Sequence, residues 1–174
     1  NPSLSPEVST SYQAGALWQF NKRNYLDVNV FYNDIRDLIQ TDENNSTVVN
    51  GIAVYSSENI SKAETYGVES VLSNQLSARL SANLSHTYTK ANNRTTGQPL
   101  TNKPEHIVRL GLDWQPTERW DRAVRARYQS RELAASAQSF VGNSLQDGEM
   151  SWAPAWATVD VKTSYQLSSL LRVF

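Results

Sequence analysis

Long stretches of the chain alternate apolar and polar residues almost without error. Leu76, Ala78, Leu80, Ala82 and Leu84 interleave with Ser77, Arg79, Ser81, Asn83 and Ser85. Successive side chains of a strand point to opposite faces, so this period of two predicts strands with one apolar and one polar face. The same pattern predicts a first strand over about 8–20, with Tyr12, Ala14, Ala16, Trp18 and Phe20 on one face. Its other face holds Ser11, Gln13, Gly15 and Gln19, together with Leu17. A polar turn at 21–24 leads into a second strand with Leu26, Val28, Val30 and Tyr32 opposed to Asp27, Asn29, Phe31 and Asn33.

The pattern continues. A third strand is expected over roughly 54–74, a turn at Ser73-Asn74-Gln75, and a fourth strand from Leu76 to about Lys90. The fifth sets His106, Val108, Leu110, Leu112 and Trp114 against Ile107, Arg109, Gly111, Asp113 and Gln115. The sixth sets Val124, Ala126 and Tyr128 against Arg125, Arg127 and Gln129. The seventh sets Ala157, Val159, Val161, Thr163 and Tyr165 against Thr158, Asp160, Lys162 and Ser164, and 170–174 begin an eighth. No segment has a helical period, so the fold class is all-β, antiparallel and up-and-down. Short turns near 21–24, 73–76, 116–119 and 168–169 alternate with long loops at 41–53, 91–104 and 131–154. All short turns therefore fall on one rim and all long loops on the other, as in outer-membrane barrels.

A soluble sandwich or lipocalin-like barrel alternates in the same way, with its apolar face turned inward. Three details favour a transmembrane β-barrel. Many apolar-face residues are small (Ala14, Ala16, Ala78, Ala82, Ala126, Ala157), a poor filling for a closed core. Aromatics sit toward the ends of apolar faces: Tyr12, Trp18, Phe20, Tyr32, Trp114, Tyr128 and Tyr165, where interfacial girdles belong. The strands also exceed the roughly 5–6 residues usual in soluble sheets.

Composition narrows the chemistry. The 174 residues carry 19% charged side chains and a formal net charge of −1, which gives no basic surface for nucleic acid. Cysteine is absent, which excludes disulfides, thiol catalysis and thiolate metal sites. His86 and His106 are the only histidines and suit interfacial structural positions. Asp42, Glu43, Asp147 and Glu149 lack calcium-loop spacing, and no Ser-His-Asp set or Gly-rich phosphate loop is readable. The expectation is no enzyme, no metal site and no cofactor. The Asn-x-Ser/Thr triplets at Asn45, Asn59, Asn83 and Asn93 are chance in so polar a chain. Gly67 is expected to relieve strand crowding or kink the sheet.

Four motifs then carry a resemblance. Asn1-Pro2-Ser3-Leu4-Ser5-Pro6-Glu7, followed by Ser11-Tyr12-Gln13-Ala14-Gly15, resembles the "NPxLxPE…SYExG" strand start of TonB-dependent outer-membrane receptors. Asn59 to Glu69 is similar to that family's "N-x-x-K-A-x-x-x-G-V-E" strand. Lys103-Pro104-Glu105-His106 before Leu110 to Trp114, and Thr158 to Val161 before Tyr165, resemble two further strand starts, in the same order. The resemblance covers essentially the whole chain but implies only the C-terminal part, 1–174, of a barrel of about 22 strands that also holds a plug. It implies a monomeric importer of a ferric siderophore, driven through the plug by the inner-membrane TonB complex and embedded in outer-membrane lipid and lipopolysaccharide. The three long loops would then be extracellular. The alternative is an outer-membrane barrel that transports nothing and is structural, adhesive or enzymatic.

Candidate ligand-binding residues follow from both lines. Arg79, Arg109, Arg125 and Arg127 lie on predicted inner faces, and guanidinium groups suit anionic chelates. The competing reading pairs them with inner carboxylates such as Asp113 and Asp160, or with carboxylates of the plug. Phe140 and Trp152, in a loop that also holds Met150 and Trp156, could stack on a flat ring. The competing reading has that loop packing on its neighbours.

Overall fold

The computed structural model describes residues 4–50, 52–134 and 151–174. Every regular element among them is a strand: β1 (Val8–Asn21), β2 (Asn24–Val49), β3 (Ile52–Ser77), β4 (Leu80–Asn93), β5 (His106–Thr117), β6 (Trp120–Gln129), β7 (Glu132–Leu133), β8 (Trp152–Ala153), β9 (Trp156–Gln166) and β10 (Arg172–Val173). Eight of them form one antiparallel sheet in the order β1-β2-β3-β4-β5-β6-β9-β10, while β7 and β8 pair separately above it. The up-and-down order expected from the alternation is observed.

Register carries the alternation straight across the sheet. One row of paired positions reads Trp18, Leu26, Leu72, Leu84, Leu110, Ala126 and Val159; a parallel row on the other face reads Leu17, Asp27, Val71, Ser85, Arg109, Arg127 and Thr158. The apolar face is bounded by aromatics on both sides. Toward the loops stand Tyr12, Tyr32, Tyr66, Tyr88, His106 and Tyr128; toward the turns stand Trp18, Phe20, Trp114, Trp120 and Tyr165. Trp120 and Tyr165 lie 4.8 Å apart, and the Arg122 guanidinium lies over both Trp114 and Trp120 at 5.2 and 5.1 Å. His86 and His106 share a 3.1 Å hydrogen bond on this same face, beside Tyr88.

No hydrophobic core forms against the apolar face among the described residues. Among the described residues the buried hydrophobics are only Ala63, Ala91, Leu100 and Ala134, whereas Tyr12, Trp18, Val159 and Val161 are at least 65% exposed. A soluble barrel would cover its apolar band; here the band is left bare between two aromatic girdles, the pattern of a lipid-facing surface. The one small cluster, Leu100 on Ala63 and Ala91 with Ile35 and Leu38, lies where the 94–105 loop folds back over the sheet.

Two expected boundaries are corrected. Residues 41–49 are strand and not loop. β2 runs on to Val49, which pairs with Ile52 on β3. The Val- and Thr-rich sequence here favours strand, and Asn50 (φ 51°) precedes Gly51 in the dipeptide that signals a two-residue hairpin connection. β2 and β3 thus project well beyond β1 and β4, which end opposite Arg36 and Ala63. The second correction moves the turn from 73–75 to Ala78-Arg79, with β4 starting at Leu80.

Parity explains that misreading. Across a two-residue turn, residue i pairs with i+3, so Ser77 faces Leu80 and odd positions should thereafter share a face with even ones. A register shift between Gln75 and Ser77 undoes this, and Ser73 again pairs with Asn83. Alternation therefore reads through the turn unbroken. The turns at 22–23 and 118–119 have the same shift beside them. Glutamines stitch the rim: Gln75 Nε2 donates to the carbonyls of Ser77 and Leu80, and Gln166 Nε2 to those of Ser168 and Leu171.

Candidate functional site

The face opposite the apolar band is polar and collects cations from β5, β6 and β9. Arg109 stands directly across the ladder from Arg127, and Arg125 directly across from Asp160. Period two puts Arg125 and Arg127 on one face of β6, and the β5–β6 register sets Arg109 across from Arg127 on that same face. Like charges directly opposed in a sheet are unfavourable unless something anionic lies between or beside them.

The three arginines differ in their engagement. Arg125 is held: Nη2 donates to Asp113 Oδ1 at 2.6 Å, and Nη1 donates to the carbonyls of Leu112 and Val124 at 2.9 and 3.0 Å. It chooses Asp113 on β5 over the cross-strand Asp160. Arg127 lies 4.9 Å from the centre of the Trp156 ring and donates to Gln129 Oε1 at 3.3 Å. Arg109 is exposed and takes no part in either arrangement. These side chains, with Asn83, Ser85, Thr158 and Asp160, line a concavity of about 340 Å³ on the inner face.

Arg79 does not join them. It sits in the β3–β4 turn, where Nη1 donates to the Pro116 carbonyl at 2.9 Å, and so ties one turn to the next at the rim away from the loops. Its placement on a strand face is corrected, because the turn falls at 78–79. Trp152 is on β8 above the sheet, with the Arg131 guanidinium 4.8 Å from its ring centre. Phe140 lies outside the described residues. Trp156, read from the sequence as a loop aromatic, opens β9 instead, and that places it across from Gln129 and against Arg127. Arg131 and Lys162 were not singled out; Lys162 was readable as sharing a face with Asp160, whereas Arg131 follows the end of β6 and has no periodic signal.

Chemically, the arrangement offers two cations side by side with an indole at one of them. A flat, anionic partner could take charge from Arg109 and Arg127 and ring contact from Trp156. Among the described residues no group of three or more His, Asp or Glu could hold a metal ion directly.

The family model for the TonB dependent receptor-like β-barrel matches residues 1–174. An iron-regulated outer membrane virulence protein of Vibrio cholerae serotype O1 is 26% identical over 99% of this chain, which covers 27% of that relative's length. In structure, the ferric enterobactin receptor of Pseudomonas aeruginosa aligns with a TM-score of 0.70 at 21% identity, over 97% of this chain and 25% of the receptor. A siderophore receptor of Acinetobacter baumannii gives 0.69 at 20% identity, over 97% of this chain and 27% of that one. A copper transporter gives 0.71 at 14% identity, over 97% and 24% respectively. At these identities the structural matches establish the fold alone.

Proposed function

The chain belongs to the TonB-dependent receptor family of outer-membrane β-barrels, and from that premise we propose that 1–174 is the C-terminal part of a barrel importing a ferric siderophore or similar chelate. The observation that carries the cargo reading is the inner-face pair Arg109 and Arg127, opposed across β5 and β6, with Trp156 against Arg127. Ferric catecholate chelates are anionic and present aromatic rings. Such a ligand relieves the like-charge pair and stacks on the indole, so binding is favoured by the feature that is costly in its absence. The iron-regulated relative and the enterobactin receptor agree with this cargo; the copper transporter marks the breadth of the fold.

In this reading the protein moves its ligand without covalent chemistry. The ligand enters from the side of the long loops, and energy comes from the inner-membrane TonB complex acting on a plug outside this chain. The partners are the small-molecule chelate, that complex and the surrounding lipid, with the barrel acting as a monomer.

The test is a titration of the full-length protein in detergent. Tryptophan fluorescence is followed against a panel of ferric catecholate and hydroxamate siderophores, haem and cobalamin. Saturable quenching by a ferric catecholate at submicromolar concentration is expected, because Trp156 sits beside Arg127. Quenching by haem or cobalamin alone would replace the cargo, and no response to any of them would sink the import reading.

A further inference from the structure

Register brings the chain's two histidines together. His86 is paired with Val108 across the β4–β5 ladder, and His106 with Tyr88. The two rings therefore rise from diagonal positions on the apolar face, at the level of the loop-side girdle. Nε2 of His86 and Nδ1 of His106 face each other at 3.1 Å, with the ring planes 13° apart. Sequence gives each histidine a girdle position; only the ladder aims one ring at the other.

The backbone beneath both rings is fixed. His86 stands across from Ser70 on β3, whose hydroxyl donates to the His86 carbonyl at 3.4 Å. The His106 N–H donates to Ser130 Oγ at 3.0 Å, and its carbonyl accepts the Ser130 N–H at 2.9 Å. The Tyr88 ring lies 5.0 Å from that of His106 and closes one side. Glu105, which precedes His106, is engaged by Lys90 at 3.5 Å. The donors that this place offers are thus two imidazole nitrogens.

A neutral imidazole has one N–H and one lone pair, so one ring now donates to the other. Moving that proton to the other nitrogen of its own ring leaves lone pairs on both facing atoms, with no change in charge. The broad χ2 preference of histidine lets the two rings turn until those lone pairs converge. The spacing already suits a metal ion. An ion about 2.0–2.1 Å from each of two nitrogens 3.1 Å apart subtends an angle of about 100°, between the square-planar and tetrahedral values.

We propose that His86 and His106 form a two-nitrogen site for a borderline divalent transition-metal ion, with Cu(II) the strongest binder. Imidazole suits this class, and across first-row ions affinity for a given pair of nitrogens peaks at Cu(II). Mg(II) and Ca(II) call for several oxygen ligands and find no such set here. Water takes the remaining coordination positions, which the girdle level admits from the loop side. The ion replaces one hydrogen bond by two metal–nitrogen bonds and so braces β4 against β5. The site lies on the face away from Arg109 and Arg127, and is independent of what the barrel imports.

The test uses the full-length protein in detergent, stripped of metal with EDTA and titrated with Cu(II), with Mg(II) as the control. Electron paramagnetic resonance should show a Cu(II) species with nitrogen ligands, and Cu(II) should raise the unfolding temperature where Mg(II) does not. Even a partner that merely orients a ligand is worth about 10–100-fold in metal affinity, so His86→Gln and His106→Gln should each weaken binding at least about tenfold. Each variant is melted in EDTA beside wild type, so that loss of the site is read apart from loss of the fold. Carbethoxylation of the wild-type protein, mapped by mass spectrometry, needs no variant: Cu(II) should protect His86 and His106 together. Unchanged Cu(II) affinity in both variants would overturn the site, as would equal modification of the two rings with and without Cu(II). An equal response to Mg(II) would overturn imidazole as the donor.

Discussion

The ring of Phe31 lies over Gly67, its direct partner across the β2–β3 ladder, with Cζ 3.0 Å from where a Cβ at 67 would stand. The Tyr88 carbonyl of β4 is closer still. Glycine here serves close approach rather than an unusual backbone angle. Gly67→Ala should cost about 1–3 kcal/mol, read as a lower urea midpoint for the full-length protein in lipid vesicles. Phe31→Ala should not rescue it, because the worse collision is with backbone. An unchanged midpoint would show that β4 yields freely.

Two of the motif residues meet at the root of the projecting hairpin. Asn59 accepts the Ser5 backbone N–H at 2.8 Å and donates to the carbonyls of Ser5 and Asp37, while Glu7 accepts the Ile39 N–H at 2.6 Å. Asp37, at φ 56°, interrupts the ladder between them. Asn59→Ala and Glu7→Ala should each remove about 1 kcal/mol of local stability. Amide exchange at Ile39 should then quicken several-fold while the girdle region stays unchanged. If both regions quicken together, the latch is part of the global fold.

At the inner face, Arg127→Ala should weaken binding of an anionic ferric chelate about tenfold, the scale of one charge-assisted contact. Trp156→Phe should keep most of the affinity yet lose most of the fluorescence quenching. Arg79→Ala, at the far rim, should leave the titration curve where it was. A variant Arg127→Ala that binds as tightly as wild type would remove this pair from the ligand site.

Expressed alone in water, residues 1–174 should aggregate. β1 pairs only with β2 and β10 only with β9, and open edges beside an apolar band invite association and cannot be sustained in lipid. Light scattering on the refolded chain is the check. A monodisperse species with a cooperative melt would contradict the outward placement of Trp18 and Val159.

Much of the fold was legible because side-chain parity is a local property of extended backbone. Leu84 and Ser85 take opposite faces of β4, as Leu110 and Arg109 do of β5, whatever the rest of the chain does. The projecting hairpin was hidden by its polar composition, although the Asn50-Gly51 signal was there to be read. The turn at 78–79 left no break in the alternation, because the neighbouring bulge restored parity.

The sequence by itself therefore determined the all-β character, which residues of each strand share a face, and the aromatics at the ends of the apolar face. Tertiary structure alone decided who meets whom. That Arg127 opposes Arg109, His86 meets His106, Arg125 takes Asp113 rather than Asp160, and Asn59 holds Ser5 depends on register. Register sums every turn length and bulge between distant residues, and one added residue shifts every partner downstream.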